Sequence, residues 1–400
     1  MTDFLIGRQQ ILDQNLNTFA YEILFRGKDF DLSIKEGATS ATNQVITDSI
    51  LEIGLNDLVG PHLAFINFTT QNILDKTPLN LPKDRIVIEV LENVVVDSQI
   101  VQNLRELSAL GYTIALDDFE LSPQWLPLLE FVDIIKLDIM ANSLDETHKL
   151  IAQLKPYNLK LLAEKVETHE EFQLLREWGC ELFQGFFFSK PKVVEGKRLG
   201  VNQASALQLL AIINKSDVGF QQINQVISQD MGLSYKLLHY INSASFALAN
   251  KVESIQQALT YLGLKEIKRW ANILTLSSMS TQPCPALQNI LLRAKMCELL
   301  AIETQQDADT FFLVGLLSGI DSILDMPLDK ALQQLPLSDT ISQAILQKSG
   351  LAGAALEYSL NYEHWQVDRA RYQNIPPQRI AAIYLECLQW WRDQVSPLIK

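Results

Sequence analysis

Cysteine is scarce in this chain of 400 residues, and its four cysteines are scattered. No two of them lie close together along the sequence; they are Cys180, Cys284, Cys297 and Cys387. Cysteine-rich zinc sites and the disulfide frameworks of small secreted proteins both need regular, closely spaced cysteines. The sequence therefore disfavours both, and a reducing cytoplasm is the compartment that we expect.

Long apolar runs are also missing. A helix that crosses a bilayer needs about 20 consecutive apolar residues, and the longest candidate, around 310–317, is much shorter. The chain opens with Met1-Thr2-Asp3-Phe4, which lacks the basic segment that precedes the apolar part of a signal peptide. We therefore expect no membrane partner.

Positive charge is in deficit, because 33 Lys+Arg stand against 47 Asp+Glu and give a formal net charge of −14. Residues 1–195 carry 16 basic and 30 acidic residues, whereas residues 196–400 carry 17 of each. Since nucleic-acid polymers are bound through a basic surface, we expect none as a partner. A small anionic ligand is still compatible with this charge if metal ions reverse the local sign.

No glycine-rich phosphate-binding turn follows an early strand, which disfavours an open doubly wound sheet. Instead, strand-like apolar runs recur at 64–68, 86–90, 113–116, 134–137, 161–163 and 182–188. Helical apolar spacing lies between some of them, at 99–110 and at 170–178 before Gly179. Strands and helices that alternate at this spacing predict parallel units, and we expect them to close into a TIM-like α/β barrel.

Polar residues, most of them acidic, end or follow these strand-like runs. They are Glu22, Asn67, Glu89, Asp117, Asp118, Lys136, Asp138, Glu164, Glu167 and Gln184. Barrel enzymes place catalytic residues at the carboxyl ends of their strands, and hard divalent cations prefer oxygen ligands. Any single member is about as well explained as a helix N-cap or a solvated loop residue. The whole set is not, because buried charges need pairing or a metal.

The pattern changes near 191–203, where Pro191 and Gly196 interrupt a stretch without periodicity, as linkers do. We therefore predict two domains, residues 1–195 and 196–400. Helical spacing dominates the second, over 204–213, 220–230, 234–242, 254–262, 264–279, 287–305 and 307–317. This domain is predicted to be all-α.

Seven motifs, in order over residues 1–195, resemble the EAL domain of bacterial cyclic di-GMP phosphodiesterases. Residues 22–26 (Glu-Ile-Leu-Phe-Arg) resemble its Glu-Ala-Leu-Leu-Arg motif, residues 115–119 match its Asp-Asp-Phe strand, and residues 135–138 match its Lys-Ile-Asp strand. The other motifs lie at 65–68, 88–92, 163–167 and 183–186, the last followed by Ser189-Lys190-Pro191.

The resemblance implies a barrel that binds two Mg²⁺ or Mn²⁺ ions and hydrolyses cyclic di-GMP to linear pGpG. Lys136 would help to hold the attacking water, Glu164 would be the general base, and Arg26 would meet a ligand phosphate. Glu92 and Glu167 would support the metal ligands. Those ligands would be Glu22, Asn67, Glu89, Asp117, Asp118 and Gln184.

This chain departs from the family pattern next to the site. The family continues Asp-Asp-Phe with Gly-Thr-Gly-Tyr-Ser-Ser, whereas residues 120–125 read Glu-Leu-Ser-Pro-Gln-Trp, and Lys165 replaces a glycine beside the proposed base. Some spacings between motifs are also short, which points to a trimmed barrel helix. The alternatives to an enzyme are therefore a degenerate domain that acts as a cyclic di-GMP receptor, or a protein-interaction scaffold.

Residues 196–400 resemble the HDOD domain, a relative of the HD phosphohydrolases, in segments 230–238, 242–246 and 254–263. Ser318 and Gly319 stand where an HD enzyme has its His-Asp metal pair, and the histidines do not cluster. His239 is interpreted as a packing or surface residue. The resemblance to two-domain EAL–HDOD signalling proteins implies a regulatory helical domain with an unknown protein partner and, by analogy alone, a homodimer through the barrel.

Overall fold

A computed structural model of the chain describes residues 4–27, 53–141, 143–187, 209–215, 218–229, 237–238, 240–242, 252–279, 285–366 and 372–399. The chain divides into two compact units, residues 1–190 with 376–385 and residues 191–375 with 386–400. The predicted boundary at 195/196 falls outside the described residues, so it stays a prediction.

Eight strands of the first unit form a closed barrel in chain order. They are β1 Phe4–Asp13, β2 Thr18–Gly27, β3 Leu63–Phe68, β4 Ile86–Val90, β5 Thr113–Leu116, β6 Ile134–Asp138, β7 Lys160–Val166 and β8 Leu182–Gly185. Strands β2 to β8 are parallel, and β1 is antiparallel to both β2 and β8. The α/β barrel that the sequence predicts is therefore present, with a reversed first strand that the sequence analysis did not predict.

Helices connect the parallel strands, and short sequence signals set their ends. They are α1 Leu55–Val59, α2 Thr70–Leu74, α3 Ser98–Ala109, α4 Leu144–Leu154 and α5 His169–Trp178. A capping box between Thr168 and Glu171 begins α5. Gly179, in the left-handed region with φ 113°, ends this helix.

The connection from β5 to β6 contains no α-helix. It forms only a 3₁₀ turn at Leu126–Leu128, with Trp125 buried just before the turn. The shortened segment therefore lies in the stretch where the sequence departs from the family pattern.

A layer of apolar side chains, one from each strand, fills the barrel interior. The layer consists of Ile11, Ala20, Phe65, Val87, Ala115, Ile134, Leu162 and Leu182. All of these residues are buried. Because side chains two positions apart on a strand share a face, the residues two positions beyond this layer also point into the barrel, at the carboxyl ends of the parallel strands.

Beyond residue 209, all of the regular structure in the described residues is helical, as the sequence predicts. The helices are α6 Phe220–Gln229, α7 Ile255–Met279, α8 Pro285–Glu303, α9 Ala308–Leu317, α10 Ile320–Leu324, α11 Leu328–Gln333, α12 Asp339–Gln347, α13 Gly350–Glu363, α14 Pro377–Trp390 and α15 Ser396–Ile399, with a π-helical turn at Trp391–Val395. Gly263, at φ 77°, kinks α7 where the sequence analysis separated two helices. Among the described helices, none combines the length and the apolar character needed to cross a membrane.

Candidate active site

Seven polar residues lie two positions beyond the apolar layer, one at the carboxyl end of each parallel strand. They are Glu22, Asn67, Glu89, Asp117, Lys136, Glu164 and Gln184. Asp117 directly follows β5, and its backbone N–H donates to the Val90 carbonyl at 2.9 Å, which extends the pairing of β5 with β4. The barrel register thus brings seven of the residues singled out from sequence into one ring.

Lys136 lies at the centre of this ring, with only 1% of its side chain exposed. Its ammonium nitrogen Nζ donates to Glu89, and it lies 2.8 Å from Asp117 Oδ1 and 2.9 Å from Glu164 Oε1. Glu22 Oε2 is 3.6 Å away. Four carboxylates therefore share one ammonium group.

Two amides hold Glu22 from either side. Gln184 Nε2 donates to Glu22 Oε2 at 2.7 Å, and Asn67 Nδ2 lies 3.5 Å from Glu22 Oε1. Because both amides donate through nitrogen, their oxygens remain as acceptors. The sequence places these amides in the ring but does not reveal this orientation.

Three oxygens in the ring are buried without a hydrogen-bond donor among the described residues. They are Asn67 Oδ1, Glu89 Oε2 and Gln184 Oε1. Buried polar atoms are nearly always satisfied, so unsatisfied acceptors gathered in one place require an explanation. Carbonyl and carboxylate oxygens are the ligands of hard divalent cations, and the three atoms fit such an ion.

The electrostatics of the ring also favour additional positive charge. Burial raises the pKa of Glu164 to about 8, with Asp117 and Glu22 adding to the effect of burial and Lys136 opposing it. Burial and then Glu22 raise the pKa of Glu89 well above its usual value. The ring therefore holds more negative charge than Lys136 can balance, and its carboxylates take up protons when no other cation is present.

Burial lowers the pKa of Lys136, but the surrounding carboxylates outweigh this effect and hold the pKa well above its usual value. Lys136 is therefore a fixed cation at neutral pH, unable to act as a proton acceptor. It can orient a polar group or compensate charge.

A second group of carboxylates lies beside the ring. One oxygen each from Glu92, Asp117 and Asp118 lies within 4.8 Å of the other two. Asp118 has a left-handed backbone with φ 40°, and burial followed by repulsion from Asp117 raises its pKa. Asp117 belongs to both groups, so the ring and this second group are contiguous.

The second group opens into a cleft of about 340 Å³. Glu92, Asp118, Glu120 and Asp138 line it together with Phe119 and Trp125. The cleft thus combines acidic and aromatic walls, and most of its lining residues belong to the β5–β6 connection.

The remaining predicted residues are placed less centrally. Glu167 is exposed at the start of α5, where its backbone N–H donates to Glu171 at 2.8 Å. Arg26 lies in β2, but its side chain is outside what the structure describes. Their roles as a supporting residue and a phosphate contact stay predictions.

Gln9 is a further candidate site residue, which was not predicted from sequence. It pairs with Glu22 in the β1–β2 register and stands two positions from Ile11 of the apolar layer. Alternation therefore turns it toward the ring. Predicting β1 as a strand would have identified it.

In the helical unit, Ser318 and Gly319 do not border a metal-ligand cluster among the described residues. Ser318 Oγ accepts from Arg293 Nη1 at 2.8 Å and donates to the Gly315 carbonyl at 2.7 Å. The Arg293 guanidinium makes two further bonds to the Glu363 carboxylate, at 2.9 Å and 3.0 Å. A guanidinium thus occupies this position. His239 lies outside the described residues.

Two domain families match the chain. The EAL domain family model matches residues 51–191, and the HDOD domain family model matches residues 201–366. The two matches follow each other in the order inferred from the motifs.

Two curated proteins are similar over most of their length. "Cyclic di-GMP phosphodiesterase CdgJ" of Vibrio cholerae is 34% identical over 369 residues, which cover 90% of this chain and 85% of CdgJ. The protein YuxH of Bacillus subtilis is 32% identical over 397 residues, 96% of this chain and 97% of YuxH. A solved calcium and cyclic di-GMP complex of Klebsiella pneumoniae BlrP1 aligns with a TM-score of 0.40 and 23% identity, over 48% of this chain and 56% of that chain.

Proposed function

This chain belongs to the proteins that join an EAL domain to an HDOD domain, and from that premise we propose that its barrel hydrolyses cyclic di-GMP to linear pGpG. The observation that carries the proposal is the ring around Lys136, with its shared carboxylates and its three buried oxygens that have no donor among the described residues. The name of CdgJ as a cyclic di-GMP phosphodiesterase supports the choice of substrate.

The cofactors that fit this ring are Mg²⁺ or Mn²⁺ ions. Such ions compensate clustered carboxylates, stabilise charge on a phosphoryl group and lower the pKa of a bound water. The residues that would hold them are Glu22, Asn67, Glu89, Asp117, Asp118 and Gln184. Glu92 joins Asp117 and Asp118 closely enough to be a further ligand rather than only a support.

The side chains of this chain would then do the following. Glu164 accepts the proton of the attacking water, whose oxygen forms the new bond to phosphorus as the bond to the ribose 3′ oxygen breaks. The released 3′ oxygen takes a proton from solvent and becomes the 3′ hydroxyl of the linear product. Lys136, 2.9 Å away, opposes the rise in the pKa of Glu164 and restrains its orientation, and bound divalent ions would add to this opposition, so that the carboxylate could accept a proton. Arg26 contacts a phosphate.

The test is to incubate the full-length protein with cyclic di-GMP and Mg²⁺ or Mn²⁺ and to separate the products by chromatography. Glu22→Ala removes the carboxylate that two amides hold, whereas Glu130→Ala removes a carboxylate whose side chain is 74% exposed. Metal-dependent pGpG in the wild type and Glu130→Ala, and its absence in Glu22→Ala, supports the proposal. The absence of pGpG in all three would contradict it.

A cyclic di-GMP receptor without turnover is the second candidate, because the β5–β6 connection is shortened to a 3₁₀ turn beside Asp117 and Asp118. Equilibrium titration with the same nucleotide distinguishes the two. Binding without pGpG formation favours the receptor, and neither binding nor turnover favours a scaffold role.

For the helical unit we propose a non-catalytic regulatory or partner-binding role, since Arg293 occupies the position next to Ser318 where a metal site would be needed. We also propose a homodimer through the barrel. Sedimentation of the full-length chain measures this directly, and a concentration-independent monomer would exclude it.

A further inference from the structure

Lys165 stands in an unusual conformation at the carboxyl end of β7. Its φ of 57° lies in the left-handed region, which favours glycine. The β7–β8 register shifts at this point, since Ala163 pairs with Phe183 and Val166 with Gly185. One extra residue in β7 is a β-bulge, and bulges re-aim side chains beside functional sites.

The bulge directs the Lys165 ammonium to the acidic cleft. Its Nζ forms an ion pair with Asp138 Oδ2, and Asp138 is one of the residues that line the cleft. The side chain of Lys165 is 54% exposed, whereas that of Asp138 is 12% exposed. The ammonium is thus anchored at the cleft wall but accessible.

The cleft needs such a charge if its ligand is anionic. Four carboxylates line it, and no lysine or arginine of the described part of the chain does so. Lys136 is fully buried and already shared by four carboxylates. Among the described side chains, Lys165 is therefore a cation at the edge of the cleft that an incoming phosphate could meet without breaking the ring.

We propose that Lys165 is a phosphate-binding residue of the cleft, which turns from Asp138 to a phosphate oxygen of bound cyclic di-GMP. This inference rests on the proposed function. A lysine that accepts a strained backbone at a bulge is explained by the charge it supplies, because glycine would adopt the same backbone without strain.

The test is calorimetric titration with cyclic di-GMP and Mg²⁺ in a Glu164→Gln background, so that the ligand is not consumed. Lys165→Met removes the charge and keeps most of the stem. Lys165→Gly removes the charge and relieves the backbone, and Lys165→Arg keeps the charge. We expect Lys165→Met and Lys165→Gly to raise the Kd for cyclic di-GMP by about 10- to 100-fold and to make the Kd less dependent on salt concentration. Lys165→Arg should bind with a Kd close to that of the Glu164→Gln parent.

Two results would overturn the role of Lys165 alone. One is that Lys165→Gly binds cyclic di-GMP as tightly as the parent, which would show that the charge of Lys165 does not contribute to binding. The other is weakened binding with an unchanged salt dependence, which would indicate a packing defect. If the wild type and the Glu164→Gln parent both bind no cyclic di-GMP, the proposed function fails together with this inference.

Discussion

Lys136 in the barrel and Arg293 in the helical unit are both buried cations beside carboxylates, but their partners are arranged differently. Lys136 is shared among four carboxylates, and three oxygens of its ring lack a hydrogen-bond donor in the described part of the chain. Arg293 makes a two-pronged bond to Glu363 and a third bond to Ser318. The cluster around Lys136 can therefore accept further positive charge. The cluster around Arg293 has its hydrogen bonds satisfied and links helices to one another.

The largest effect should come from the incomplete cluster. Glu164→Gln removes the proposed proton acceptor, and general-base catalysis typically contributes about 10²- to 10⁴-fold. We expect pGpG formation to fall by that factor. The midpoint of thermal unfolding should stay close to that of the wild type, because the substitution also removes one of several repelling buried charges. Equal turnover by the variant and the wild type would exclude Glu164 as the base.

Breaking the closed cluster should instead affect stability. Arg293→Met leaves the Glu363 carboxylate, 14% exposed, without its cation. Loss of one partner of a buried pair costs about 3–5 kcal/mol, measured here as the free energy of unfolding in urea.

Two controls sharpen this result. Arg293→Met with Glu363→Leu should restore part of the loss, since no buried charge is then left unpaired. Arg392→Met breaks the half-exposed pair with Asp393 and should cost less than about 1 kcal/mol. If all three variants unfold alike, Arg293 is not a structural cation.

The next largest effect on stability should come from Gly315, which packs closely against the residue after Arg293. A Cβ on Gly315 would lie 2.7 Å from the Ala294 Cα, between α9 and α8. Gly315→Ala should therefore lower the free energy of unfolding by about 1–3 kcal/mol. Gly219→Ala, where no heavy atom lies within 4 Å, is the control without a steric clash; it should cost about 1 kcal/mol or less, because Gly219 directly precedes α6 and alanine is a poor N-cap residue.

The raised pKa of Glu164 predicts a pH dependence for the metal-free barrel. A carboxyl whose pKa rises from 4.5 in the unfolded chain to about 8 in the folded one binds its proton more tightly when folded. The contribution of Glu164 to the free energy of unfolding is then fully present below pH 4.5 and is lost as the pH rises toward 8. In EDTA we expect the free energy of unfolding to fall by roughly 1 kcal/mol per pH unit in this range. Glu164→Gln should make this fall less steep. A slope that Glu164→Gln does not change would contradict the raised pKa.

The smallest difference concerns helix caps in the two units. Thr168 and Glu171 exchange bonds of 3.1 Å and 3.0 Å, whereas Ser338 accepts one bond of 3.4 Å from the Ile341 N–H. Thr168→Ala should cost about 1 kcal/mol, and Ser338→Ala less. Urea denaturation of each variant measures the loss in the free energy of unfolding. A larger loss for Ser338→Ala than for Thr168→Ala would show that hydrogen-bond distance does not predict the contribution of these caps.

The positions in the ring could be predicted from sequence because each follows an apolar run, and the two-residue strand period fixes the face. The partners of Lys136 could not be predicted from sequence, because they come from different strands that meet only when the barrel closes. The grouping of Glu92 with Asp117 was likewise hidden, since it depends on loop conformation. The prediction that Lys165 replaces a glycine agrees with its left-handed backbone.

Elements were missed where the local pattern is weak or was overlooked. β1 carries Arg8, Gln9 and Gln10 in its middle, which interrupts the apolar run that marks the other strands. Helix α4 has a clear signal in the capping box of Ser143 and Glu146, which the periodicity analysis passed over. Of the predicted strand 182–188, residue 188 lies outside the described residues, and the observed strand ends at Gly185, where an added Cβ would lie 2.1 Å from the Val166 carbonyl oxygen.

The reversed direction of β1 has a practical consequence for biochemical work. Phe4 pairs with Gly27 at the end of β2, so the first described residue of β1 lies at the mouth of the barrel. A polyhistidine tag placed there would sit beside the carboxylates and compete for the divalent ions supplied in an assay. Assaying the same protein before and after proteolytic removal of the tag would expose that competition as an artefact of metal affinity.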